Sequence, residues 1–307
     1  MATADTAIGR GWPDGVGMVY FGMSPWDGMW KSRHQLMSRF ASEMPVLYVE
    51  PPVTLRALRK GQVSLSKIVA SVGQTVEHFD SNVTVFHSPA FLPVSGSPAL
   101  AGTTRKMWVR AIQKTMRAAG ISKPIIWVSR PERQFVIGEM DEIFSIYHAV
   151  DEYAGYTGLS EQGRQRLLAT EANLLDRVDL VIVASPELER AKSGDGRDSL
   201  VLENGVEPAE YANAKTMSIE PDDLAAIPRP RIGYSGLIGR RLDLELIRFA
   251  AEQRPECSFV RLGKVDSREC ADQLASLDLL SNVFLLGEKP GNAVASYVVG
   301  FDIGLLP

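Results

Sequence analysis

The residues best suited to chemistry in this chain stand where apolar runs end. RPRIGYSGLIGRRLDLELIRFAAEQ, residues 229–253, reads as a buried strand over Arg231 to Tyr234, a glycine turn, two arginines and an amphipathic helix. Leu242, Leu246, Ile247 and Ala250 recur at helical spacing and define the apolar face of that helix. A strand that stops at glycines and feeds a helix start suits a phosphate. The first helical N–H groups have no intrahelical partner, and the helix dipole favours negative charge there. Gly236 and Gly239 allow close backbone approach, and Arg240 and Arg241 supply fixed positive charge. The pattern repeats at Gly263–Lys264 and at Gly287–Glu288–Lys289, so three successive strand ends combine glycine with a nearby cation. That repetition points to an anionic ligand more strongly than any one loop, since strand–glycine–helix turns also occur with nothing bound. Gly233, Gly236 and Gly239 spell GxxGxxG and invite a dinucleotide reading. Against it, Gly233 lies inside the strand, and Lys264 stands where a ribose-binding acid is wanted.

A second set of strand ends lies earlier in the chain: Ser24 to Trp26, Glu50, His87, Arg130, Asp151–Glu152–Tyr153, Ser185 and Asn204–Gly205. Aromatics, acids and a histidine suit a hydroxyl-rich ligand. Asp151 is the residue to position or deprotonate an acceptor hydroxyl, or it caps the segment that follows. His148, two residues inside a strand end, is either an alternative base or a core histidine. Trp26 and Trp30 stack on a ligand or anchor their loop. Arg33 and His34 open a helix above the first strand. The helix near residues 103–119 carries Arg105, Lys106, Arg110, Lys114 and Arg117. It is read as a solvated face, with contact to anionic lipid headgroups as the alternative.

These groups need a scaffold, and the patterning supplies one. Short, continuously apolar strands alternate with helices, which predicts parallel sheets covered on both faces. The alternation runs to about residue 208, pauses over a polar, proline-bearing stretch at 209–230, and restarts at 231. The expected organisation is a loose tail over 1–15, a first α/β domain over 16–208, a linker over 209–230 and a second domain over 231–307. The second sheet closes only its fourth strand at Pro307, so the sequence is expected to be a fragment with that domain incomplete. The 307 residues are 45% hydrophobic and 23% charged, with a net charge of −4. That balance fits a globular protein and argues against nucleic acid as the main partner. Cys257 and Cys270 have no CxxC spacing or histidine cluster, and read as thiols in a reducing compartment. The first residues have no apolar core of a signal peptide, and no run reaches membrane-spanning length, so the expected place is cytoplasmic.

LVLENGVEPAEY, residues 200–211, resembles the PNGVD segment of GT-B-fold glycosyltransferases, above all the retaining family 4 group, with Glu203 where proline is usual. DLVIVASPELERAK, RPRIGYSGLIGRRLDLELI, PECSFVRLGKV and NVFLLGEKPGNAVASYVVGFDIGLLP follow the same order, and YHAVDEYAGYTG is similar to the segment lining the acceptor cleft. The resemblance covers most of the chain from Val16 on. It implies two doubly wound Rossmann-like domains facing across a cleft, the first holding the acceptor and the second a nucleotide-diphosphate sugar. It implies donor contacts at Gly236, Arg240 and Arg241 and, through the loop at 287–290, at Gly287 and Lys289, and it places Glu152 and Tyr153 in the acceptor-cleft segment. The strand ends add Gly263 and Lys264 as donor candidates and Trp26, Arg33 and Arg130 as acceptor candidates. Asp151 and His148 are the catalytic candidates. Leu237 replaces an arginine usual after the glycine loop, and the acidic E-x7-E donor grip is expected beyond Pro307. The implied reaction is sugar transfer, with retention, from a nucleotide sugar to a glycan or glycolipid hydroxyl. No separate cofactor or metal is expected, because no Asp-x-Asp pair stands where a metal would bridge phosphates. A sugar-nucleotide epimerase and a non-catalytic nucleotide- or partner-binding protein are the rival readings.

Overall fold

The computed structural model describes residues 11–27, 32–52, 76–79, 82–88, 98–156, 159–192, 194, 198–217, 220–239, 241–266 and 270–307. Two compact units divide at Gly205/Val206.

In the first unit the strands are β1 (Val16–Phe21), β2 (Val46–Val49), β3 (Val76–Phe79), β4 (Val83–Phe86), β5 (Lys123–Val128), β6 (Phe144–Ala149), β7 (Leu180–Val183) and β8 (Ser199–Val201). They form one sheet in the order β3-β4-β2-β1-β5-β6-β7-β8. The order reverses between β1 and β5, which is the switch point at which ligands of such sheets gather beyond the carboxyl ends. Every pairing is parallel except β3 with β4. The wholly parallel sheet expected from the patterning is therefore corrected at its edge. VEHF has one apolar residue at each end of two polar ones and is largely exposed, so it carries none of the buried-strand signal.

Helices α1 (Ser32–Ala41), α2 (Pro98–Ala118), α3 (Glu161–Leu175) and α4 (Pro186–Lys192) connect the strands. Strand side chains alternate faces. Val19, Phe21, Val128, Tyr147 and Ala149 enter one core with Trp108, Ile112 and Met116 of α2. Met18, Tyr20, Tyr48 and Trp127 enter the other with Met37 and Ala41 of α1. Trp108, Ile112 and Met116 recur every four residues, so α2 buries one stripe and leaves its basic residues outside.

The second unit begins with α5 (Pro208–Met217) and α6 (Asp222–Ala225), then β9 (Arg231–Ser235), β10 (Ile238–Gly239), α7 (Leu244–Gln253), β11 (Ser258–Leu262) and β12 (Val265–Asp266). It continues through α8 (Ala271–Asp278), β13 (Val283–Gly287), α9 (Val294–Val298) and β14 (Ile303–Gly304). The main sheet runs β13-β11-β9-β14, all parallel, with β10 and β12 as a separate two-stranded ribbon.

Residues 209–230, expected as a linker, are largely helical and packed into this unit. Leu224 and Ile227 sit in a core with Val260, Leu262 and Tyr297. The buried Arg231 donates from Nε to the Ile227 carbonyl at 2.8 Å and pairs with Glu220. Arg229 bridges Glu220 and Asp302. The stretch looks polar because its anchoring is ionic. α5 buries no side chain, so it leaves no hydrophobic period to read.

The helix after β9 also differs from its reading. Leu246 is 49% exposed, and the buried face is Leu244, Ile247 and Ala251. The residues 1–10 of the expected tail lie outside the described residues.

Candidate functional site

In the first unit, the carboxyl ends of the strands bring together most of the second residue set. Asp151 follows β6 with both oxygens engaged. Oδ1 accepts the Glu152 N–H at 2.9 Å, and Oδ2 accepts the Tyr156 hydroxyl. The carboxylate is therefore held in one orientation, and Tyr156, which the sequence reading passed over, is its closest side-chain partner.

Glu152 accepts the Ala154 N–H at 3.2 Å and pairs with Lys192 at 2.8 Å. Lys192, 5% exposed, also pairs at 2.8 Å with the buried Glu171, which accepts the Tyr147 hydroxyl at 2.6 Å. Burial works against the Lys192 ammonium, but the two carboxylates prevail and raise its pKa. Burial beside Glu171 drives the Tyr147 phenol up, so it donates as a neutral hydroxyl.

Tyr153 and Trp26, expected at an acceptor, are instead core residues, 2% and 7% exposed. The Tyr153 hydroxyl donates to the Ser129 carbonyl at 2.7 Å, and its ring lies 4.4 Å beneath the Arg130 guanidinium. Trp26 packs edge-on against Tyr48 at 4.9 Å and His34 at 5.1 Å, and its backbone N–H donates to Glu50 at 2.8 Å. Large aromatic area is worth more buried than waiting for a ligand. Arg33 is buried too; one terminal N donates to Ser24, while its Nε has no hydrogen-bond partner. Trp30 lies outside the described residues.

His148 points into the core beside α1, with its ring 5.6 Å from Trp127 and no partner for Nε2. Desolvation lowers its pKa to about 4, so it is neutral at neutral pH. At 7% exposure it sits beneath the strand ends, not on them.

Another histidine does stand at the edge. His87 follows β4, with Nδ1 2.9 Å from Glu50 and Nε2 3.3 Å from Glu77. Its hydrogen bond to Glu50 raises its pKa, with burial opposing. Glu77 was invisible in the sequence reading because β3 was not recognised. The raised folded pKa gives the sign of a pH effect. The pair contributes most below the unfolded value of 6.5, and its contribution fades as pH rises through the higher folded pKa. Urea unfolding between pH 6 and 9 is expected to show stability falling with pH, and His87→Gln to flatten that slope. An unchanged slope in the variant would assign it to other groups.

A hollow of about 400 Å³ opens elsewhere, lined by Ile137, Gly138, Glu142, Arg177 and Asp179 among others. It sits by the starts of β6 and β7, away from the carboxyl ends. Asp179 already accepts both Ser145 donors, at 2.7 and 2.6 Å, and Arg177 is tied to the carbonyls of Gln134 and Ile137. Its polar groups serve the fold.

In the second unit, Gly236, Gly263 and Gly287 end β9, β11 and β13 side by side. The Gly236 N–H donates to the Leu262 carbonyl at 2.9 Å, and the Gly263 N–H to the Gly287 carbonyl at 2.8 Å. A Cβ on Gly263 would fall 1.9 Å from the Gly236 carbonyl oxygen. Only glycine permits that approach, and the result is a ledge of bare backbone across three strand ends.

The expected direct passage from this ledge into a helix is corrected. β10 intervenes, paired with β12, and α7 starts at Leu244 behind Asp243. The Asp243 carboxylate accepts the Leu246 N–H at 2.9 Å, so an acidic cap occupies the helix start that was read as an anion site. Arg241 lies in the exposed turn before that cap, Lys264 is exposed beside Gly263, and Arg240 lies outside the described residues. Lys289, expected at the donor, is bound at 2.6 Å to Asp223, which also accepts the Tyr297 hydroxyl at 2.9 Å. Its position strengthens the packing of α6.

Two α/β units with largely parallel sheets define a class: the fold is that of the GT-B glycosyltransferases, with two Rossmann-like domains in one chain. No protein-family model matches the sequence. Sucrose-phosphate synthase from Thermosynechococcus elongatus superposes with a TM-score of 0.64 at 16% identity, over 94% of this chain and 74% of its own. HepE from Anabaena, in complex with UDP and glucose, gives 0.57 at 13% identity, over 94% and 73%. Trehalose-6-phosphate synthase from E. coli, bound with UDP-2-fluoro glucose, gives 0.59 at 10% identity, over 94% and 78%. In sequence, the chain is similar to TuaH of Bacillus subtilis, described as a teichuronic acid biosynthesis glycosyltransferase, at 29% identity over 153 residues. That match spans 48% of this chain and 38% of TuaH. Among the described residues, no helix is long and apolar enough to cross a membrane.

Proposed function

We propose that the protein is a glycosyltransferase that moves a sugar from a UDP-sugar to a hydroxyl of a saccharide or glycolipid acceptor, with retention of configuration. The observation that carries this reading is the ledge formed by Gly236, Gly263 and Gly287 at adjoining strand ends. A diphosphate needs close approach to backbone, and three strand ends without side chains provide it. The fold and the UDP held by the solved proteins of this shape support the same choice. Negative charge grows on the departing diphosphate during transfer. Fixed cations beside the ledge, with Arg241 and Lys264 as our candidates and Arg240 from the sequence pattern, therefore favour the transition state over the bound donor. Asp151, locked by Tyr156 and the Glu152 N–H, orients the acceptor hydroxyl. Work at the membrane face on a glycolipid belongs to this reading.

Calorimetric melting with UDP, GDP, ADP and NAD tests it. UDP at a hundred times its Kd is expected to stabilise the protein by about 2.7 kcal/mol. Arg241→Ala is expected to weaken UDP binding at least tenfold. Stabilisation by NAD alone would overturn the proposal and restore the GxxGxxG reading. The glycosyl product is then sought by incubating UDP-sugars with a mixture of saccharide acceptors.

A further inference from the structure

We propose that the first unit carries an oxyanion site, formed by Arg105, Arg130 and Arg133 at the carboxyl edge of its sheet, that selects acceptor sugars bearing a phosphate or a carboxylate. The inference rests on the glycosyltransferase reading and names the chemical class of its acceptor.

Arg130 immediately follows the strand-end Ser129, and Arg133 lies one turn on in the 3-10 helix Pro131–Val136. Arg105 lies in α2, which returns from β4 to β5 and so starts at the same edge of the sheet. Each guanidinium rests on an aromatic face: Arg105 on Phe135 at 4.8 Å, Arg130 on Tyr153 at 4.4 Å and Arg133 on Trp108 at 5.7 Å. Trp108 and Phe135 touch at 5.8 Å, which ties two of the three platforms into one surface. Stacking fixes a guanidinium by its face and leaves its N–H edges free to take an acceptor.

Packing alone does not explain the charge. Glu132 is the one carboxylate paired within the group, and both its oxygens bind Arg130, at 2.8 and 3.2 Å. Among the described residues, Arg105 and Arg133 pair with no carboxylate. Three guanidinium charges share the single Glu132 carboxylate, and the excess positive charge shows on Arg133. Burial lowers its pKa to about 10; the Glu132 charge opposes the shift, and the smaller effects of Arg130 and Arg105 add to it. An incoming oxyanion balances that excess and accepts hydrogen bonds from planar forks matched to its geometry. The cluster adjoins the Asp151–Tyr156 pair through Tyr153, whose ring meets that of Tyr156 edge-on at 5.9 Å. A sugar whose charged group sits on the arginines would present its ring to that carboxylate.

Isothermal titration of the full chain with glucose 6-phosphate, glucuronate and glucose tests the site without turnover. At least one charged sugar is expected to bind tenfold or more tighter than glucose, the tighter of the two naming the oxyanion. Arg105→Gln/Arg133→Gln is expected to abolish that preference, and Arg105→Lys/Arg133→Lys to keep part of it. If the double glutamine variant does not fold, Arg133→Gln alone is expected to reduce the preference at least threefold. Equal binding of all three sugars, or a glutamine variant that keeps the full preference, would overturn the proposal. UDP titrated into the same samples separates the two readings. A protein that binds UDP without discriminating charged sugars refutes the oxyanion site alone, and one that discriminates the sugars but ignores UDP refutes the donor reading.

Discussion

Lys192→Met is expected to destabilise the first unit by about 3–5 kcal/mol, the usual cost of removing one partner from a buried ion pair. The ammonium stands 2.8 Å from both Glu152 and Glu171, and the Lys192 and Glu171 side chains are only 5% and 4% exposed. Methionine matches the lysine stem in length and leaves the buried Glu171 charged, with the Tyr147 hydroxyl as its remaining hydrogen-bond donor among the described residues. The second substitution of Glu171→Gln removes that stranded charge. The double variant is therefore expected to recover more than half of the loss, because a neutral amide still accepts from Tyr147. Urea unfolding of the two single variants and the double one forms the cycle. Additive losses would mean that the two side chains do not interact. The consequence reaches the site as well, since Lys192 also fixes Glu152 beside Asp151. A fall in acceptor affinity with intact UDP binding is the expected second signature.

Gly263→Ala is expected to be nearly as damaging, and in the other unit. The new methyl would sit 1.9 Å from the Gly236 carbonyl oxygen, which is backbone and has no rotamer to give way. The φ of Gly263, +140°, adds strain of about 1–3 kcal/mol for any residue with a Cβ. β9 and β11 must separate at their ends, so the ledge opens where the diphosphate is proposed to lie. UDP affinity is expected to fall at least tenfold. Gly287→Ala is the informative control, because its φ is +73° but nothing lies within 4 Å of its added Cβ. It is expected to cost about 1–2 kcal/mol from backbone strain, with UDP binding kept to within threefold. Equal effects of the two substitutions on UDP binding would deny that the close approach of β9 and β11 matters.

Much of this protein was legible in residue order. Runs such as VGMVYF, PIIWV and LVIV bury both faces of a strand, and that alone demands helices above and below and hence a parallel sheet. The three strand-end glycines were equally plain, because only a backbone under conformational or steric demand places glycine there repeatedly. Distances between separate strand ends, however, are set by packing, which no spacing encodes. Trp26 and Tyr153 read as ligand-stacking aromatics, but burying such area outweighs leaving it in water, and both joined the core. Lys289 read as a donor cation until Asp223, 66 residues away in sequence, proved to hold it. His87 gained its second carboxylate from β3, a strand too polar to recognise alone. The sequence determined the layers, the strand ends and the residue types gathered there. Tertiary structure decided which of those charges found partners within the protein, because a charge is satisfied by what lies within a few ångströms of it, whatever its place in the chain.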